Sequence, residues 1–359
     1  MERAAENGSR PSGGIKHILL QRESVSKSKP TQSLLASGMP DKLAPHLDGG
    51  WTAKQGDLRF LLGEIPLFAV KFPLLIQETH FTKLLNRPDR KISIEALPPA
   101  TEGFLIRSQP VQQTLPRLSV FPDAIRYIPS QYERFYIELE GSFAEYLNKF
   151  SSKSRWTLLR KIRKFAAFSR GQVDWRVYRT VKEIEEYYPL ARQVSAATYQ
   201  ERLLNAGLPE HGEFRTETFA LARLDRVRGY LLFHDRKPIA YLFCAVEDPG
   251  ILLYRYLGYD PEYQDWSPGT VLQYFVLERL FAEREIRLFD FTEGEGAQKR
   301  FLSTGSIHCA DIYYFRRRLR TLMVVALHVS LEAFSKIVGD ALNCLRLKRR
   351  IKTFLRSRG

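Results

Sequence analysis

Two short stretches hold the residue types from which a group-transfer site is built. In "YQDWSPGTVLQYF", Gln264, Ser267, Gly269 and Thr270 stand where an aromatic, strand-like run gives way to an apolar-periodic helix. A helix start presents unpaired N–H groups and the positive end of the backbone dipole, and together these attract phosphate. A small residue and a glycine let backbone approach a diphosphate there. Thr270 adds a hydroxyl, and Pro268 donates no N–H but sets the first-turn φ. The same residues also read as an ordinary helix start, with Ser267 as N-cap and Pro268 at N1, that binds nothing. On spacing alone that plainer reading is the stronger.

The second stretch is "FDFTEGEGAQKRF". Asp290 ends a strand and can orient an acceptor or take its proton, Glu293 and Glu295 sit on a glycine-rich turn, and Lys299 follows on the next element. Acyl transfer to an amine or hydroxyl needs a base near the nucleophile and donors for the developing oxyanion, roles that Asp290 and Lys299 can fill. The alternative is that Asp290 and Thr292 cap the turn and Lys299 is a solvated charge. His308 beside Cys309 makes a poor base–thiol pair, because neighbours on a strand point to opposite faces. No spacing of His, Asp, Glu or Cys resembles a metal site. Tyr254 and Tyr256 are expected to share a strand face as core or cleft wall, with stacking on a sugar as the other use.

The elements that must position these residues differ along the chain. Its 359 residues carry a net charge of +15, which points to an anionic partner. Three widely separated cysteines, Cys244, Cys309 and Cys344, match no disulfide framework and suit a reducing compartment. No export signal is visible. Residues 1–50 are rich in Ser, Gly, Pro and Lys and read as a disordered arm. Residues 51–141 alternate short apolar runs with Pro-containing breaks, among them "KISIEAL", and read as a strand-rich domain. At 142–170 a capping-box pair, Ser142 and Glu145, opens a basic helix, and Lys149 to Arg170 holds eight basic and no acidic residues. Arg155 and Lys161 on this helix are candidates for a phosphorylated acceptor; the default is a solvated face. Pro189 should kink or break the next helix. Over 171–318 the order is strand, helices, three strands, helix, two strands, the three consecutive strands being antiparallel neighbours. The tail has twelve basic and two acidic residues from Arg316 onward. Its run "TLMVVALHVSLEAF" is too short, and too interrupted by His328 and Glu332, to cross a bilayer, but a helix over 319–359 could lie on an anionic one.

The order of elements, "YLGYDPEYQDWSPGTVLQYFVLERL" and the following "FDFTEGEGAQKRFL" resemble the GNAT acyltransferase superfamily. The likeness is greatest to its polysaccharide-biosynthesis branch, often called CelD-like and related to FemAB-type transferases, which also carries a basic "SSKSRWTLLRKIRKF"-like helix. It covers about Ser142 to Phe315. It implies an α/β (α+β) fold with a mixed, mostly antiparallel sheet flanked by helices, in tandem GNAT-like domains with 51–141 as the degenerate copy. The superfamily's Gln/Arg-x-x-Gly-x-Gly/Ala cofactor loop is matched by Gln264 and Gly269, with Ser267 in place of the first glycine. Gln298 stands where related sequences carry an aromatic residue before the lysine.

The resemblance implies an acyltransferase moving an acetyl group from acetyl-CoA, or another acyl-CoA, to a hydroxyl or amino group of a sugar or lipid-linked sugar. It makes Asp290 and Lys299 catalytic, Gln264, Ser267, Gly269 and Thr270 cofactor-binding, and Arg155, Lys161, Tyr256 and Glu293 substrate-binding, with no metal. The expected place is the cytoplasm, peripheral on the inner membrane face through 319–359. Two alternatives stay open: an aminoacyl-tRNA-dependent transferase, the one reading in which nucleic acid binds, and a non-catalytic polysaccharide-synthesis factor at the membrane.

Overall fold

One mixed sheet runs through both strand-bearing parts of the chain. In this computed structural model the described residues are 51–63, 65–78, 97–198, 201, 207–247, 250–294 and 296–344. The expected arm at 1–50, nearly all of "KISIEAL", Glu295 and the tail beyond Cys344 lie outside them. The N-terminal strands are β1 (Trp51–Leu62), β2 (Ile65–Glu78), β3 (Gly103–Pro110), β4 (Leu118–Val120) and β5 (Ala124–Glu138). The later strands are β6 (Asp174–Tyr178), β7 (Val227–His234), β8 (Lys237–Val246), β9 (Ile251–Tyr259), β10 (Leu288–Asp290) and β11 (Gly305–Arg316). Their spatial order is β1-β2-β3-β11-β5-β10-β9-β8-β7-β6, with β4 on β5. β7, β8 and β9 are the expected sequential antiparallel neighbours. Only β2–β3 and β9–β10 pair in parallel among the described strands. β11, from the chain's far end, completes the N-terminal part by pairing with both β3 and β5.

The basic segment at 142–170 is two helices, not one. Ser142 and Glu145 do form a capping box, but they open only α1 (Phe143–Asn148). Ser151 caps a fresh start, its Oγ accepting from the Ser154 amide, and α2 (Ser152–Phe168) follows. A local side-chain acceptor at Ser151 competes with the helix ladder and restarts it. α3 (Val181–Ala197) opens with a second capping box, Thr180 and Glu183, and continues through Pro189 without a break. Pro costs one ladder bond; here Tyr187, Tyr188 and Ala191, all buried around it, hold the helix to the sheet.

α3 and α4 (Gly212–Arg223) cover one face of β7–β9 through Tyr187, Leu231 and Phe243. The opposite face packs on α5 (Pro268–Glu283), with Val271, Leu272, Val276 and Leu280 meeting Leu242, Leu252 and Phe289. α6 (Ala297–Leu302) lies between β10 and β11, and α7 (Leu319–Cys344) packs on β1 and β5.

α7 corrects the length read from the sequence. It runs 26 residues, and Leu319–Val338 is by length and composition alone long and apolar enough to cross a membrane. His328 and Glu332 do not interrupt it, because both turn toward the sheet: His328 is buried between Tyr127 and the Arg59 carbonyl, and Glu332 pairs with Arg117.

Candidate functional site

The site begins where two parallel strands part. β9 and β10 are in register only from Ile251 to Leu253, against Leu288 to Asp290. Beyond that point β9 bulges, Tyr256 lying opposite Phe243 and Tyr254 opposite Cys244, so that Arg255 is the extra residue. The bulge overturns the expectation that Tyr254 and Tyr256 share a face, because one inserted residue flips the alternation. Tyr254 packs against Phe289 and Phe291, whereas Tyr256 meets Phe214 and Phe243 in the α3–α4 core. On the other branch the chain turns at Thr292, φ +59°, whose hydroxyl donates to the Tyr254 carbonyl at 3.0 Å and fixes the opening.

Asp290 stands at the fork with no exposed surface. The Arg134 guanidinium grips its carboxylate, Nε lying 3.0 and 3.2 Å from the two oxygens, and the Thr292 amide donates to it at 2.8 Å. A carboxylate so engaged is an anchor for the fork.

Lys299 reaches across the opening from α6. Its Nζ donates to the carbonyls of Phe291 at 2.8 Å and Glu293 at 2.6 Å and lies 5.7 Å from the Tyr254 ring centre. Burial lowers its pKa to about 8, against the opposing pull of Asp290 and Glu293. On one side of this bridge is a cavity of about 230 Å³ whose lining includes Arg107, Arg134, Arg255, Glu247, Thr292 and Glu293.

A second cavity, of about 350 Å³, opens between α2, α6 and the start of α5. Lys153, Thr157 and Lys161 line it as one row of α2, with Thr270 from α5 and Gln298, Phe301 and Leu302 from α6. Lys164 holds α2 against the loop before α5: its Nζ donates to the Asp265 carbonyl at 3.0 Å and sits 4.6 Å from the Trp266 ring centre. Gln298 ties α6 to Thr270 at 3.4 Å and to Gln273.

Ser267 is not the ordinary N-cap of the plainer sequence reading. It is left-handed, φ +53° and ψ 48°, and its side chain makes no cap bond. The hydroxyl is therefore not what starts the helix; the backbone turn is, and glycine adopts that turn at the least cost. A Cβ on Gly269 would stand 3.3 and 3.4 Å from Leu257 and Tyr259, so this loop packs tightly on β9.

The expected site residues thus separate. Thr270 and Lys161 line the α2–α5 cavity, with Ser267 and Gly269 in the turn and first helical positions just before Thr270, and Gln264 exposed on a short 3-10 helix, Pro261–Trp266. Glu293 lines the arginine-rich cavity, and Asp290 and Lys299 meet at the fork. Arg155 turns to Asn148 instead of into either cavity, and Tyr256 belongs to an aromatic core. Sequence reasoning did not single out Arg134, Arg107 and Arg255, which come from strands far apart in the chain. Lys153 and Thr157 were open to it, being spaced by four from Lys161. Cys309 carries no nucleophile at neutral pH, since burial pushes its thiol up to about 12, and its neighbour His308 pairs with Glu133 at 3.0 Å. Among the described residues no cluster of metal-ligating side chains is present.

Residues 152–300 match the acetyltransferase (GNAT) domain family. The matched segment contains the α2–α5 cavity apart from Phe301 and Leu302, and the lining of the arginine-rich cavity apart from Arg107, Ser108 and Arg134 of β3 and β5. No curated protein matches the chain. Among solved structures, L-PGS from Bacillus licheniformis is similar at 12% identity over 72% of this chain and 84% of that one, with a TM-score of 0.44. FemX is similar at 10% identity over 77% and 90%, with a TM-score of 0.44. The C-terminal domain of a protein described as a lysylphosphatidylglycerol synthetase from Agrobacterium fabrum is similar at 10% identity over 64% and 72%, with a TM-score of 0.40.

Proposed function

We propose that the protein transfers an acyl group between two substrates that meet at Lys299. The observation that carries this is the position of α6. Gln298, Phe301 and Leu302 form a wall of one cavity, while Lys299 between them is bonded to the backbone of the segment that lines the other. The donor is an acyl-CoA, with acetyl-CoA first, its diphosphate at the start of α5 beside Lys153 and Lys161. The acceptor is a sugar or lipid-linked sugar whose hydroxyl or amine enters the cavity of Arg107 and Arg255, guanidiniums suited to a linking phosphate.

In the reaction the acceptor nitrogen or oxygen attacks the acyl carbon and its proton passes to Glu293. The carbonyl oxygen gains the charge and accepts the third N–H of Lys299, the other two being held by Phe291 and Glu293. The carbon–sulfur bond then breaks, the sulfur takes the proton held by Glu293, and CoA leaves as the thiol. Asp290 serves by fixing Arg134 and the fork. Residues 51–141 stand as the degenerate copy of the tandem reading, on the condition that β11 completes them. The reaction is placed at the inner membrane face by residues 319–359.

Calorimetry with acetyl-CoA and then with tRNA tests the reading. Binding of acetyl-CoA that Ser267→Tyr abolishes supports it; unchanged affinity in that variant would refute the cofactor placement. Binding of tRNA alone, weakening steeply with salt, would move the donor to aminoacyl-tRNA, and binding of neither would leave a non-catalytic membrane factor.

A further inference from the structure

We infer that α7 and the β1–β2 hairpin form one docking face for an anionic bilayer, on which α7 lies in the plane of the interface. This deepens the membrane position proposed above and rests on that reading. α7 has two dissimilar sides. Inward, Thr321, Val325 and His328 are buried. The Arg59 carbonyl can only accept, so His328 Nε2 donates to it at 2.9 Å, and Nδ1 accepts from the Tyr127 hydroxyl at 2.6 Å. His328 is neutral in this arrangement, and burial lowers its pKa.

Outward, Leu319, Met323, Leu327, Phe334 and Ile337 fall on one side and are 54–73% exposed. That band extends about 27 Å along the helix at ~1.5 Å per residue. The hairpin adds to it. The Gly63 amide donates to Ser335 Oγ at 2.7 Å, and Phe60 stacks on Phe68 at 4.4 Å and meets His328 at 4.8 Å. Phe68, half exposed, is thereby held beside α7. Large apolar side chains gathered this way on a surface mark an interaction site.

The charge at its edge selects the partner. Arg317, Arg318 and Arg320 are exposed at the start of α7, and the sequence beyond Cys344 adds seven more basic residues and no acidic one. Cations flanking an apolar band match lipid phosphates above an acyl boundary. Crossing the bilayer would strip α7 from the sheet and open Phe60, Tyr127 and the Arg117–Glu332 pair, so the helix lies on the membrane with its inner side still docked.

The test is partition of the full-length protein onto vesicles of phosphatidylcholine alone and of phosphatidylcholine and phosphatidylglycerol mixed equally. Binding to the mixed vesicles is expected, with Leu327→Glu and Phe68→Glu each weakening it by about tenfold and Leu224→Glu, an exposed change on the α4 side, leaving it unchanged. Thermal melting confirms that each variant is folded. Equal binding by the first two variants would overturn the docking face, as would a concentration-dependent dimer that Leu327→Glu dissociates. Resistance of the vesicle-bound protein to alkaline carbonate extraction would overturn the in-plane position. Acetyl-CoA binding by the same variants is expected unchanged, so a failure here is told apart from failure of the transferase reading.

Discussion

Arg134 and Asp290 form an ion pair almost wholly withdrawn from water, their side chains 6% and 0% exposed. It joins β5 to β10, two strands 156 residues apart in the chain, at the point where β9 and β10 part. Removing one partner strands a buried charge. Asp290→Ala is expected to destabilise the fold by ~3–5 kcal/mol in urea or thermal unfolding. A fully stable Asp290→Asn variant without turnover would instead make Asp290 the base.

In the proposed transfer reaction Lys299 is expected to set the pH dependence. Held at about 8, it loses its proton as pH rises through that value, and kcat/KM is expected to fall with it, because the oxyanion donor is the charged form. For stability the sign is opposite. Between about 8 and the ordinary 10.5 the unfolded chain binds a proton that the folded one does not. The penalty from Lys299 is thus full below about 8 and is relieved as pH rises toward 10.5. Lys299→Met should therefore lose roughly 10²–10³-fold in turnover without any loss of Tm at pH 7.

The α2 lysines are expected to act through phosphate. Lys153→Ala and Lys161→Ala should each weaken acetyl-CoA binding and reduce its dependence on salt, read from calorimetry at several ionic strengths. Arg155→Ala, whose side chain turns to Asn148, is expected to leave donor affinity unchanged.

Ser267→Gly should stabilise the protein by up to about 1 kcal/mol, relief of the left-handed backbone being partly offset by the freedom glycine gains when unfolded. Ser267→Val should destabilise by ~1–2 kcal/mol, measured by thermal melting.

Gly229→Ala is expected to cost ~1–3 kcal/mol. A Cβ there would stand 2.7–2.9 Å from the ring of Tyr187, which is fully buried between α3 and the sheet.

Much of the scaffold was legible from local chemistry. The three antiparallel strands, the helix after "QDWSPG" and the Ser142 capping box follow from turn residues, apolar period and side-chain acceptors, all of which act within a few residues. The same local view misjudged what packing decides. Pro189 does not break α3 because buried aromatic contacts outweigh one lost hydrogen bond, and Tyr254 and Tyr256 part because a bulge, which no alternation pattern reveals, inserts Arg255 between faces.

The candidate site divides in the same way. Lys299 and Asp290 could be picked out as chemistry-bearing from type and spacing, whereas Lys161, read toward a phosphorylated acceptor, and Thr270, read toward a cofactor, gave no sign that they line one cavity. That Asp290 is locked by Arg134, that Ser267 acts through its backbone and not its hydroxyl, and that α6 lines one cavity while its Lys299 bonds the backbone of the segment lining the other were decided only in three dimensions. The first of these depends on β5 being brought beside β10, and a contact across some 150 residues leaves no periodic trace in the chain that makes it.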